Sequence, residues 1–154
     1  EDCSIEMGAK NLLGVTVTRN YDRFKILRCI FRGTAANPDC AIDLDSGSGD
    51  DTNYIISNCL FNFDGSAGLD EAGIRSSKID TGVLIEDCTF IGMDATAIDF
   101  NSSSTGLIVN VKVLSNNATV AEMLDVGYLG VIDSRLTYRA VSNNKTIPAT
   151  TATA

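Results

Sequence analysis

The chain repeats itself, and the repeat limits what it can fold into. Three segments align without gaps: Phe24-Lys25-Ile26-Leu27-Arg28-Cys29-Ile30-Phe31, Tyr54-Ile55-Ile56-Ser57-Asn58-Cys59-Leu60-Phe61 and Val83-Leu84-Ile85-Glu86-Asp87-Cys88-Thr89-Phe90. They share the pattern Ile-x-x-Cys-x-Phe, and their starts lie 30 and 29 residues apart. Weaker copies begin at Leu107 and Val131, 24 residues apart. Self-similarity at such a period marks a stack of small units, none of which buries its apolar face alone.

A second motif recurs between the first set. It reads Ala41-Ile42-Asp43-Leu44-Asp45, Gly73-Ile74-Arg75-Ser76-Ser77, Ala97-Ile98-Asp99-Phe100-Asn101 and Met123-Leu124-Asp125-Val126-Gly127. An aliphatic residue, a charged one and usually an apolar one follow in turn, which is the period-two alternation of a strand. The segments are short, rich in Ile, Val, Phe and Thr, and broken by Gly, Asn, Asp and Ser, which argues against helices. Only residues 67–71 and 120–124 carry any helical character, and neither stretch is expected to form a helix.

Two strand motifs per 24–30 residues describe one coil of a β-solenoid. Equivalent positions then stack at the spacing of neighbouring strands, about 4.8 Å. Cys29, Cys59 and Cys88 form one interior column, Phe31, Phe61 and Phe90 a second, and Ile26, Ile56 and Ile85 an aliphatic ladder. Ile and Cys three apart both face inward only if the chain bends between them. Asn58 and Asp87 suit a left-handed bend, and Arg28 suits it less well. In the weaker copies Lys112 and Arg135 fall where the cysteines would be, so the column is expected to stop or shift register there.

The form Ile56-Ser57-Asn58-Cys59-Leu60-Phe61 resembles the coils of the pectin lyase-like right-handed β-helix superfamily, over roughly residues 5 to 138. The resemblance implies an all-β, right-handed parallel β-helix of about five coils spanning residues 1–142. That superfamily includes polysaccharide lyases, glycoside hydrolases, bacteriophage tailspikes, adhesins and virion-surface proteins. Its hydrolases carry paired aspartates with a histidine and an Arg-x-Lys element. Its lyases use calcium-binding acids with an arginine base in a proline-bearing motif. This chain has no histidine and no such element, and Pro38 and Pro148 lie outside any such motif.

Composition narrows the function further. With 154 residues, 44% of them apolar, there is enough for one core. The net charge of −8 repels phosphate backbones and anionic membrane surfaces, so neither nucleic acid nor membrane is expected as a partner. No apolar run approaches the ~20 residues of a membrane-spanning helix. The opening on Glu1 is read as processing or excision from something longer. Without histidine, the commonest general base, the Ser-His and Cys-His nucleophile pairs and most zinc sites are gone. Five cysteines are an odd number for a disulfide framework, and stacked parallel neighbours do not orient their thiols for one. The column reads as small buried hydrophobes.

The carboxylates have two readings. Asp43, Asp99 and Asp125 share one outward column, with Arg75 between the first two. In an enzyme they would be the candidate acids, with Asp45 beside them. Asp43 and Asp99, two coils apart at about 9.5 Å, stand at the far edge of inverting-glycosidase geometry. The alternative is a surface charge ladder of mixed sign. The loop from Asp43 to Asp51 opens with Asp-x-Asp-x-Gly spacing at Asp43, Asp45 and Gly47, like the first half of a calcium loop with Asp50 and Asp51 as further candidate ligands, but Tyr54 stands where an EF-hand needs glutamate. No cofactor is expected. Residues 143–154 read as an extended Thr/Ala-rich arm laid on a neighbouring subunit.

These readings converge on a non-enzymatic virion-surface module, a capsid decoration (cement) protein or a tailspike or fibre segment. It is expected to be a homotrimer that contacts other virion proteins and, as a further candidate, a surface glycan. The alternatives are a polysaccharide lyase or glycoside hydrolase of the same superfamily, and a bacterial adhesin module that is secreted or on the cell surface.

Overall fold

A computed structural model describes residues 1–7, 13–16, 23–33, 40–44, 52–63, 72–93, 96–100, 103–115, 124–126, 128–132, 134–140 and 143–148. Its strands come in consecutive triplets, called tiers below. The first tier is β1 (Ser4–Met7), β2 (Leu13–Thr16) and β3 (Lys25–Leu27). The second is β4 (Ile30–Gly33), β5 (Cys40–Asp43) and β6 (Ile55–Ser57). The third is β7 (Leu60–Asn62), β8 (Ala72–Ser76) and β9 (Thr81–Glu86). The fourth is β10 (Thr89–Met93), β11 (Thr96–Phe100) and β12 (Thr105–Val109). The fifth is β13 (Lys112–Ser115), β14 (Leu124–Asp125) and β15 (Tyr128–Ile132), and β16 (Arg135–Ala140) and β17 (Asn143–Pro148) follow.

Every strand from β1 to β13 pairs in parallel with the one three places along. This gives a first sheet β1-β4-β7-β10-β13-β16-β17, a second β14-β11-β8-β5-β2 and a third β15-β12-β9-β6-β3. The described residues contain strands and no helix. The all-β, parallel architecture expected from the repeat is therefore present, and it is compatible with a solenoid. The sequence motif Ile-x-x-Cys-x-Phe is not one strand, however. It is split between the third sheet and the first, as Ile55–Ser57 (β6) and Leu60–Asn62 (β7) show.

The split occurs at a left-handed residue. Asp2, Arg28, Asn58, Asp87 and Asn110 have φ between 50° and 55°. At Arg28, Asn58 and Asp87 the turn lets both the Ile two places before and the Cys just after face the core, and at Asn110 it does the same for Ile108 and Val111. The parallel ladder passes through this corner unbroken. Arg28 N–H donates to the Ser57 carbonyl, Asn58 to Glu86 and Asp87 to Val109, all at 3.0–3.1 Å. One step on, Leu60 N–H donates back to the Cys29 carbonyl and Thr89 to that of Cys59, both at 2.9 Å. Arg23, Asn53 and Gly82 form a second left-handed column, each just ahead of an inward residue, Phe24, Tyr54 or Val83. The sequence pattern did not reveal that column.

Arg28 is the unfavoured residue of the first corner, and its neighbour in the tier below accounts for it. Its guanidinium grips Asp2 with two bonds, Nε to Oδ1 at 2.6 Å and Nη2 to Oδ2 at 2.7 Å, with Glu1 at 3.5 Å. This hydrogen bond holds the Asp2 carboxyl below its ordinary value. The contact is therefore intact above the ordinary carboxylate pKa of about 4, and is lost as the pH falls through the lowered one.

Between the sheets, side chains stack tier on tier. Phe31 and Phe61 lie 4.8 Å apart with planes 2° from parallel, and Phe61 and Phe90 4.3 Å apart at 5°. Phe24 stacks on Tyr54 at 4.6 Å. Ile26, Ile56, Ile85, Ile108 and Val131 continue one another in register. Each stacked aromatic pair contributes roughly 0.5–1.5 kcal/mol beyond its burial.

Two expectations need correction. Val111 and Ser134, not Lys112 and Arg135, continue the cysteine column; Lys112 pairs with Thr89 and with Arg135, one residue along. The slip arises at Gly106, which stacks on buried Val83 but carries no side chain to signal it. Leu107, the nearest apolar residue, took its place in the alignment, yet it is 44% exposed. Gly106 is required there, because a Cβ would overlap the Val83 backbone. Residues 143–148, read as the start of an arm reaching a neighbour, form β17, antiparallel on β16 of the same chain. Pro148 is tolerated because it ends an edge strand. The candidate helices fall largely outside the described residues, and Leu124 is in β14.

If the corner needs a left-handed backbone, Asn58→Gly will be neutral or mildly stabilising. Asn58→Val will lose about 1–2 kcal/mol, since left-handed φ costs that much for a residue with a branched Cβ. Urea denaturation of the two variants measures the difference.

Candidate functional site

The second sheet carries the acids. Its register aligns Thr16, Asp43, Arg75, Asp99 and Asp125 in one column, beside the aliphatic column Val15, Ile42, Ile74, Ile98 and Leu124. Arg75 thus separates Asp43 from Asp99, and Asp99 adjoins Asp125 directly. The column is not uniformly outward. Asp43 is only 4% exposed, Arg75 and Asp99 are half-buried, and Asp125 is exposed. Arg75 Nη2 donates to Asp43 Oδ2 at 3.2 Å. Opposite charges on neighbouring strands contribute roughly 0.2–1 kcal/mol, and like charges there oppose pairing. The ladder is therefore cohesive at its Asp43 end, and at Asp99–Asp125 two like charges adjoin, the second of them in solvent.

Of the calcium candidates, Asp45, Asp50 and Asp51 lie outside the described residues, and Asp43 is engaged by Arg75. Among the described residues no three His, Cys, Asp or Glu side chains come together to hold a metal ion.

The cysteine column has a role that sequence reasoning missed. Cys29, Cys59 and Cys88 are buried. Each Sγ points to the carbonyl two residues back, at Leu27, Ser57 and Glu86, 3.3–3.4 Å away. Cys59 and Cys88 also approach the Ile26 and Ile56 carbonyls of the preceding tier at 3.7 Å. Ser134 repeats the device with its hydroxyl. Its Oγ donates to the Ile132 carbonyl and accepts from Val111 N–H, both at 3.1 Å. The column takes small buried side chains, Val111 among them, and where the residue is Cys or Ser its donor also braces the corner. The hydrogen bond shared with Cys59, and then burial, push the Cys88 thiol above the usual range.

The column also reaches one tier lower than the sequence reading placed it. Cys3 precedes β1 and lies 2.8 Å, sulfur to sulfur, from Cys29. The signal was present as a truncated motif, Asp2-Cys3-Ser4-Ile5, with Ile5 in register with Phe31. Cys40 lies in the second sheet, not in this column, and its Sγ donates to the Ile42 carbonyl at 2.9 Å.

A buried polar group escaped the sequence reading altogether. Asp80 is fully buried and accepts from Tyr54 Oη at 3.1 Å. Its own N–H donates to Ser104 Oγ, whose hydroxyl donates to the Lys78 carbonyl, both at 3.1 Å. This network ties three tiers together. Nothing in the pattern around Asp80 distinguishes it from a solvated turn residue.

Compared with protein-family models, curated proteins and solved structures, the chain matches none.

If the column is a brace, Cys59→Ser will cost little, because the hydroxyl keeps the bond to the Ser57 carbonyl as Ser134 does to Ile132. Cys59→Asp will be severely destabilising, since it buries a charge. Thermal melts check both. In the native wild type, Cys59 and Cys88 will alkylate slowly, and unfolding will make them fast.

Proposed function

We propose that the three sheets are the faces of a right-handed parallel β-helix, and that it serves as a non-enzymatic structural module on a virion surface, as a capsid decoration protein or a tailspike or fibre segment. The observation that carries this reading is the state of Asp43. An acid poised to act on a sugar needs an accessible carboxyl, and this one is buried and paired to Arg75 in a strand ladder. The pair is placed to hold tiers together. The superfamily resemblance of Ile56–Phe61 and the missing histidine support the same reading.

The module is proposed to act as a homotrimer. Among the described residues β1, β2 and β3 are edge strands at one end and β14 and β15 at the other, with no further strand paired to them. Such edges template association unless covered, and closed cyclic symmetry covers them without further growth. β17 covers β16 within the chain, so a contribution of the tail to the trimer falls to residues 149–154.

A second reading, a polysaccharide-degrading enzyme, is favoured by one observation. Asp99 and Asp125 stand in register on adjacent strands, whose backbones lie about 4.8 Å apart, so two acids neighbour each other on one face of the sheet, as the acid pair of a glycosidase must.

Light scattering at micromolar concentration is expected to give three times the 16.4 kDa chain mass. A species at the single-chain mass would refute the trimer. A screen of acidic and neutral polysaccharides is expected to show no turnover. Turnover that Asp99→Asn abolishes would replace the structural reading with the enzymatic one.

A further inference from the structure

We propose that Cys3 and Cys29 are a disulfide-forming pair, an oxidative modification site that locks the first tier to the second and takes a low-molecular-weight disulfide as its oxidant. Three consecutive rungs hold the pair. Asp2 and Arg28 are clamped by two short bonds, Ile30 N–H donates to the Cys3 carbonyl at 2.8 Å, and Ser4 is in register with Ile30. Neighbouring parallel strands put Cα atoms about 4.8 Å apart, inside the range a disulfide spans, and although stacked thiols are not in general oriented for one, the structure turns these two toward each other. The two sulfurs already lie 2.8 Å apart, so a bond of about 2.05 Å needs a shift of under an ångström.

This pair differs from the rest of the column. Cys59 and Cys88 each approach a carbonyl of their own corner and one of the preceding tier, and both are buried. Cys29 likewise has its own-corner carbonyl and a thiol neighbour in the column, but that neighbour, Cys3, is at the exposed end. Cys3 is exposed, so an oxidant reaches it, while Cys29 is buried directly behind it. Thiol–disulfide exchange needs access to the attacking thiol, which Cys3 offers, and a second thiol within reach to resolve the mixed disulfide, which Cys29 supplies.

With glutathione disulfide the steps balance. The Cys3 thiolate attacks one glutathione sulfur, the S–S bond breaks, and one glutathione thiolate leaves. Cys29, deprotonated, then attacks the Cys3 sulfur and expels the second glutathione thiolate. Two cysteine thiols are oxidised by two electrons. One glutathione disulfide is reduced to two thiols, which carry the two protons.

The test is to incubate the folded, reduced chain with glutathione disulfide under argon. Intact mass and non-reducing peptide maps then follow. The expected product is a single chain lighter by two hydrogens, with the peptides of Cys3 and Cys29 joined and Cys40, Cys59 and Cys88 unmodified. Cys29→Ser is expected to stop at a stable glutathione adduct on Cys3, and Cys3→Ser to give neither adduct nor cross-link. A wild type that keeps glutathione on Cys3, joins two chains, or links Cys29 to Cys59 would overturn the proposal. Thermal melts of both forms give a second readout: the cross-linked form is expected to melt higher, and an unchanged or lower midpoint would refute the lock.

Discussion

Everything in this structure depends on hydrogen bonds that survive a corner. A parallel sheet bonds each strand to the next by slanted, evenly spaced N–H···O bonds. Where a chain turns sharply, such a ladder ordinarily ends and leaves backbone groups to water. Here the turning residue is left-handed in every tier from Asp2 to Asn110, so the corners themselves stack. Their amides bond to the tier above, and the residues two places on bond to the tier below. The cost is a left-handed conformation at non-glycine residues, which Asn and Asp bear most cheaply.

The side chains around the corner follow from that geometry. The residue after the turn faces inward against the carbonyl it has just passed. A thiol or a hydroxyl there adds a bond without adding bulk, as at Cys29, Cys59, Cys88 and Ser134, while Val111 in the same column contributes burial alone. Two residues further on, Phe31, Phe61 and Phe90 stack face to face because the ladder holds their strands in register. Arg28 shows how an unsuited residue is accommodated, since its charge grips Asp2 at the same corner one tier below.

How much of this was legible depends on whether a position signals itself by polarity or by shape. The interior columns were readable because Ile, Cys and Phe recur at fixed offsets. The bend was readable because Ile and Cys three apart cannot share a flat strand's face. The slip after Gly106 was not, since a glycine required by close backbone approach leaves no apolar mark, while exposed Leu107 imitates one. Among the acids, the register of Asp43, Arg75, Asp99 and Asp125 followed from strand alternation. The burial of Asp43 did not, because it depends on packing that alternation says nothing about. Asp80 was missed for the same reason. Its partners Tyr54 and Ser104 belong to other tiers, 26 and 24 residues away.

Amide hydrogen exchange of the native chain tests the stacked corner most directly. Turn residues in open loops exchange quickly, whereas amides within a cooperative ladder exchange only when the structure opens. The account predicts that the amides of Arg28, Asn58, Asp87 and Asn110 are as protected as those of Leu60, Thr89 and Lys112 in the strands that follow. Loop-like exchange at the four left-handed amides, with those strands still protected, would contradict it.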